Sequence, residues 1–383
     1  MEHKYLTDIT QVRQRTSAKW RRFPADVLPM HVAEMDYDVA PNIRTRLAKM
    51  VADSDLGYTG PVPEVAQGFS EFAESRWGWN VDTKQVRLST DVGVSAVEIL
   101  RVICKSGDKV VINSPVYYNF FSWIKEAGAN LVDVPLVEAF PQWELDLEAL
   151  EQSFRDGAKV YLLCSPHNPL GKVYTKQELI TISELAAKYN VIVISDEIHA
   201  PLTYAGENFV PYLSVSDQAQ QTGICITAAS KSFNLAGLKA SIIVTADANI
   251  HEKLNAMPPA MHWRSGLLGA IAMAEAFADG QPWLDSIIEL NRKSRDLLRD
   301  LLATQAPEVR YWIPQASYLA WLDLGSLNIG ATPAAQILEE QKVAFQPGTD
   351  LGSQYTKYVR LNFGCHPDSL QRAVKALAAY SRS

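Results

Sequence analysis

Five short runs built almost wholly from apolar residues constrain the fold most. They are 109–113 (KVVIN), 160–164 (VYLLC), 191–195 (VIVIS), 224–227 (ICIT) and 241–245 (SIIVT). None alternates polar with apolar residues, so each predicts a strand covered on both faces, the pattern of a mainly parallel sheet. The clearest helix, Lys176–Tyr189, lies between the second and third runs. Thr175 and Glu178 have the spacing of a capping box, in which a hydroxyl and a carboxylate satisfy free amides at the helix start. Leu179, Ile182, Ala186 and Tyr189 then recur at helical spacing, and Asn190 follows as a C-terminal cap. Strand, capped helix, strand is a βαβ unit, so the core is assigned to the α/β class.

The last third reads differently. Residues 289–302 form a charged amphipathic helix pattern, 359–363 (VRLNF) a strand, and Leu370, Ala373, Val374 and Leu377 share one helical face. This predicts a large domain over 46–284 and a smaller α+β domain built from 1–45 and 285–383.

Composition removes several function classes. The 383 residues carry a net charge of -7 with no Lys/Arg-rich run, which argues against nucleic acid and anionic membranes as partners. No apolar run approaches the roughly 18 residues of a membrane span. The polar start, Met1 to Tyr5, lacks the apolar stretch of a signal peptide. Cys104, Cys164, Cys225 and Cys365 are widely spaced and have no metal-ligand spacing, so no metal is expected. These features predict a cytoplasmic protein.

Ligands of open α/β sheets sit beyond the carboxyl ends of the strands. Three of the apolar runs are followed there by chemistry-bearing groups: Asn168 in 165–171 (SPHNPLG), Asp196 in 195–199 (SDEIH) and Lys231 in 230–239 (SKSFNLAGLK). Taken singly, each is ordinary. An Asn before Pro is usually a turn residue, an Asp after a strand often caps a helix, and a loop Lys is commonly solvated. Their joint occurrence at neighbouring strand ends is not ordinary. Other motifs are incomplete: Asn255 stands where His251-Glu252 would need a second metal-binding His, and no G-x-G-x-x-G or G-K-[ST] loop follows a strand.

With these motifs the chain resembles the fold-type I pyridoxal-phosphate enzymes of the class I/II aminotransferase superfamily over almost its whole length. Within them it is most similar to the MalY/PatB-type cystathionine β-lyase (C–S lyase) branch, through 195–199 (SDEIH), 230–237 (SKSFNLAG) and Met35-Asp36-Tyr37. The resemblance implies an aspartate aminotransferase-like fold with pyridoxal 5'-phosphate as cofactor. It implies that Lys231 bonds the cofactor aldehyde and moves protons, and that Asp196 keeps the pyridine nitrogen protonated so that the ring withdraws electrons. Asn168 and His199 are implied at the ring oxygen, with a satisfied helix-terminal histidine as the alternative reading of His199. Tyr117 and Ile198 are implied on the two ring faces. The phosphate is implied to rest on the amides of Gly93 and Val94, on Ser230 and on Lys239. Arg360 is implied to clamp the substrate α-carboxylate, with Tyr118 and Ala33 on the substrate side. Tyr58 resembles the tyrosine that reaches the phosphate of a neighbouring subunit, implying a homodimer with shared active sites. Residues 261–266 (MHWRSG) are expected to reach the partner's site as well.

The sequence departs from the branch at His31 and Glu34, which stand where Trp and Asp are usual, close to where the resemblance puts the substrate. Leu170 replaces a frequent Gly. The branch implies cleavage of cystathionine or another S-substituted cysteine to thiol, pyruvate and ammonia. Two alternatives stay open: a class I/II aminotransferase, and a cofactor-containing regulatory protein that binds a transcription factor.

Overall fold

A computed structural model describes residues 4–381; Met1, Glu2 and His3 of the polar start lie outside the described residues. A seven-stranded sheet forms the centre, in the spatial order Val86–Ser89, Ser241–Val244, Gly223–Thr227, Ile192–Asp196, Ala158–Cys164, Lys109–Ile112, Asn130–Asp133. The five strands from Gly223–Thr227 to Asn130–Asp133 are mutually parallel. All five apolar runs are strands. The run at 241–245 departs in direction, since Ser241–Val244 is antiparallel to both neighbours. A continuous apolar run reports burial on both faces, which either direction satisfies.

The helix Lys176–Tyr189 begins and ends as its sequence predicts. Thr175 and Glu178 form the capping box, and Asn190 closes the helix in the left-handed conformation. The register of the flanking strands pairs Cys164 with Asp196, bringing two adjacent carboxyl ends level.

A second, antiparallel sheet has the order Arg310–Tyr311, Leu319–Asp323, Tyr358–Asn362, Gln346–Pro347. The helix Pro367–Ala378 buries Leu370, Ala373, Val374 and Leu377, the face its spacing predicts. The early segment joins this part, because Leu28–Pro29 pairs in parallel with Val343–Ala344. Both expected domain limits fall inside helices. Residue 45 lies within Pro41–Ala52, which packs on Leu267–Asp279, and residue 285 lies within the 25-residue helix Gln281–Gln305. Among the described residues no helix is long and apolar enough to cross a membrane.

Candidate active site

A cavity of about 210 Å³ opens at the carboxyl ends of the parallel strands, and Asn168, Asp196 and Lys231 all line it. Each arrives from a different connection. Asn168 follows Ala158–Cys164, Asp196 ends Ile192–Asp196, and Lys231 follows Gly223–Thr227.

Asp196 is buried, and its carboxylate accepts one backbone hydrogen bond, from Ile198 N–H at 3.2 Å. Burial pushes it up to about 7, only partly offset by the Ile198 hydrogen bond and then by the positive charge of Lys231. A buried carboxylate without an ion pair is costly, so a cationic partner aimed at it would be strongly favoured. Lys231 has the complementary state. Its Nζ donates to the Ala33 carbonyl at 3.0 Å, and burial, then the like charge of Arg360, bring the amine down to about 8.

The 165–171 loop is held rigidly. His167 bridges the Pro115 carbonyl at 2.8 Å and the Tyr174 hydroxyl at 3.1 Å, and burial keeps its ring neutral, at about 4. Gly171 sits at φ +64, where an added Cβ would lie 2.3 Å from Pro314 Cβ. Only glycine suits both the conformation and the space. Leu170, beside it, packs into the aromatic cluster with Trp143 and Trp312 and does not enter the cavity.

Ile198, His199, Tyr117, Gly93, Ser230, Lys239 and Ala33 also line the cavity. His199 makes no cap bond to the short helix after it; its Nδ1 meets Ser317 Oγ at 3.0 Å. Burial holds His199 neutral, at about 3, with Lys231 and Arg360 pushing the same way. The helix Val92–Ile103 points its start at the cavity. A Cβ on Gly93 would come within 3.1 Å of Trp123 Nε1.

Four expected residues lie elsewhere. Val94 is absent from the lining, because Asp91 Oδ1 already takes its amide at 2.9 Å as the helix cap. Tyr118 is part-exposed beside Tyr117, with ring centroids 4.7 Å apart, and does not line the cavity. Tyr58 is 98% exposed and contributes nothing to its own chain's cavity. Arg360 is buried just behind the lining: Nη1 donates to Asn168 Oδ1 at 3.2 Å, Nη2 donates to the His31 carbonyl at 2.9 Å, and Nε has no partner. The ring of His31 is buried edge-on against Phe23, with both nitrogens unpartnered among the described residues, so its main-chain carbonyl and not its imidazole contacts Arg360. Glu34 accepts from Ser17 Oγ at 2.6 Å.

Sequence reasoning did not single out Cys164, Trp123, Ser317 or Tyr318 as site residues. Cys164 and Trp123 line the cavity, Ser317 meets His199, and the Tyr318 hydroxyl donates to the Ala33 carbonyl at 3.0 Å. The Trp123 signal was available as its place on the apolar face of Asn119–Glu126, beside Phe120 and Ile124.

The donor set fits pyridoxal phosphate. An unpaired buried carboxylate suits a protonated ring nitrogen, and a partly buried amine suits an aldehyde. A helix start bordered by Ser230 and Lys239 suits a phosphate, although Lys239 currently pairs with Asp91 at 3.2 Å. Among the described residues no group of three or more His, Cys, Asp or Glu could hold a metal ion.

The sequence profile of the family described as aminotransferase class I and II matches residues 25–377. A cystathionine β-lyase of Corynebacterium glutamicum is 32% identical over 373 residues, covering 97% of this chain and 98% of its own. The cystathionine β-lyase PatB of Bacillus subtilis is 32% identical over 361 residues, covering 92% of each. The crystal structure of cystalysin from Treponema denticola, which contains a pyridoxal 5'-phosphate cofactor, matches with a TM-score of 0.91 at 27% identity, over 99% of both chains.

Proposed function

The chain belongs to the aminotransferase class I and II family, and from that premise we propose that it is a pyridoxal-phosphate-dependent carbon–sulfur β-lyase. Its substrate is cystathionine or another S-substituted cysteine, and its products are a thiol, pyruvate and ammonia. One observation carries the reading: Lys231 and Asp196, an amine and a carboxylate that form no ion pair among the described residues, face one cavity. The cystathionine β-lyase relatives then select elimination among the reactions such a site supports.

Lys231 would hold the cofactor covalently and Asp196 its ring nitrogen. Asn168 and His199 would meet the ring oxygen, Tyr117 and Ile198 the two faces. Ser230, Lys239 and the Gly93 amide would hold the phosphate. When bound, the cofactor supplies an electron-withdrawing ring that takes up the electron pair left at the substrate Cα. Arg360 binds the α-carboxylate through its guanidinium, which sets the orientation of the Cα–H bond. Lys231, with its amine near 8, is a base matched to neutral pH and takes the Cα proton. Asp196 stays charged opposite a protonated nitrogen, because that pairing relieves the cost of its burial. His199, held neutral, donates or accepts a hydrogen bond without adding charge.

We further propose a homodimer with shared sites. Tyr58, Leu56, Val51 and Trp263 are large apolar groups left exposed, and a hollow of about 970 Å³ is lined by residues 61–68 and His262, which lie close to Tyr58 and Trp263 in the sequence. A second copy covering this face would give Tyr58 and the segment 261–266, which begins in the short helix Ala260–Trp263 and not in a loop as its sequence suggests, an active site to enter. All four cysteines are buried and unpaired, which suits a reducing compartment, and we place the protein in the cytoplasm.

The test is release of pyruvate and thiol from cystathionine by purified protein without any keto acid. Strict dependence on an added keto acid would instead make it an aminotransferase. Replacing Lys231 by Ala should abolish turnover and the visible absorbance of the bound cofactor together.

A further inference from the structure

The carbonyl of Ala33 accepts two hydrogen bonds at once, from Lys231 Nζ at 3.0 Å and from the Tyr318 hydroxyl at 3.0 Å. A carbonyl oxygen has two lone pairs, so this acceptor is saturated. Tyr318 is fully buried, immediately before the strand Leu319–Asp323.

Both sides of the arrangement are fixed. On one side, Asn362 Nδ2 donates to the Val32 and Glu34 carbonyls, each at 2.7 Å, and Asn234 brackets Met35 through its N–H and its carbonyl. The Ala33 peptide is therefore clamped before and after. On the other side, Ser317 adopts φ +75, a conformation that non-glycine residues seldom take. Its N–H donates to Leu202 O, its carbonyl accepts from the Tyr204 hydroxyl, and its Oγ meets His199. An unusual backbone conformation held from three directions is the kind found where a site needs a group fixed in place.

We propose that Tyr318 is a positioning residue for Lys231: its hydroxyl and the Ala33 carbonyl form the resting station of the Lys231 amine whenever that amine is not bonded to the cofactor. The proposal rests on the reading of Lys231 as the cofactor-bearing lysine. The chemistry explains the choice of acceptor. A carboxylate in this place would hold the amine as an ammonium ion, whereas a carbonyl orients it and leaves it available as a base. A lysine that must let go of the cofactor and return in each turnover gains from a fixed place to wait.

The test compares Tyr318→Phe with wild type in the full chain. In cofactor-free protein, labelling of the Lys231 amine by acetic anhydride, read by mass spectrometry, should be severalfold faster in the variant. In the loaded enzyme, kcat should fall about tenfold with KM unchanged, the scale of one lost hydrogen bond. The visible absorbance should return after substrate exhaustion more slowly by a similar factor. Cofactor content should stay at the wild-type value, and Tm should fall by no more than a few degrees. Asn362→Leu loosens the same peptide from its other side and should speed Lys231 labelling in the same sense, which covers the case of a poorly folded Tyr318→Phe. Wild-type labelling in the folded variants overturns the proposal. Absence of cofactor binding and turnover in wild type would instead overturn the proposed lyase, and the labelling arm would still decide the role of Tyr318.

Discussion

Arg360 Nη1 reaches Asn168 Oδ1 at 3.2 Å, joining the antiparallel sheet to the loop after the strand Ala158–Cys164. The same guanidinium holds the His31 carbonyl and leaves Nε unpaired. A buried arginine with a spare donor is prepared for a planar anion. Arg360→Lys keeps the charge but loses the fork. It should lower kcat/KM by about 10- to 100-fold, corresponding to roughly 1.5–3 kcal/mol for hydrogen bonds to a charged group. Steady-state kinetics with cofactor content measured in parallel would check it; unchanged kcat/KM would remove Arg360 from substrate binding.

Asp196 makes stability depend on pH in the cofactor-free chain. Its value near 7 lies above the unfolded value near 4. Between these limits the folded state holds a proton that the unfolded state has released, so stability falls as pH rises from about 4 to 7. Glu197, also raised to about 7 by burial, acts in the same direction. Asp196→Asn should therefore raise the Tm of cofactor-free protein at pH 8 by a few degrees and flatten the slope in this window. Thermal melts across pH 5–8 would measure it. The same substitution should weaken cofactor binding.

His31 acts in the opposite sense. Its value near 4, caused by burial and then by Arg22 and Arg360, lies below the ordinary 6.5. Stability is lost as pH falls from about 6.5 towards 4, because the unfolded state then binds a proton that the folded state refuses. His31→Phe keeps the packing against Phe23 and removes two unpartnered ring nitrogens. It should resist acid unfolding better than wild type and keep its activity, since the carbonyl that holds Arg360 is unchanged. A large loss of kcat/KM would place the imidazole in the substrate site after all.

Gly93→Ala probes the proposed phosphate end. The new methyl would press on the Trp123 indole at 3.1–3.2 Å. Cofactor affinity should drop by about tenfold, near 1.4 kcal/mol, in an absorbance titration, while helix content by circular dichroism stays constant.

Thr175→Ala tests the fold away from the site. Removing the capping-box hydroxyl should cost about 1 kcal/mol, read by denaturant unfolding, with kcat and KM unaltered.

Local chemistry explains which parts were legible in the sequence. Asn168, Asp196 and Lys231 could be found because each follows a run whose burial its own residues declare. Thr175 and Glu178 could be found because a capping box is complete within four residues. Ser317 and Tyr318 carried no comparable signal. Their meaning comes from partners 118 and 285 residues away, His199 and Ala33. The reading of Val94 as a phosphate amide missed the Asp91 carboxylate three residues earlier, which caps that amide in the fold. The sequence puts His31 close to the expected site, but only the structure shows that its carbonyl, and not its ring, meets Arg360.

The clamp of Asn362 on Val32 and Glu34 also sets a schedule. The two partners of the first bond are 330 residues apart in the chain. At roughly 5–20 residues per second of synthesis, the early segment leaves the ribosome about 15–65 seconds before its partner exists. Through that interval the central sheet can form, yet the Ala33 carbonyl lacks the clamp that fixes it. The carbonyl on which the free Lys231 amine rests is therefore among the last parts of the site to be fixed in each new chain.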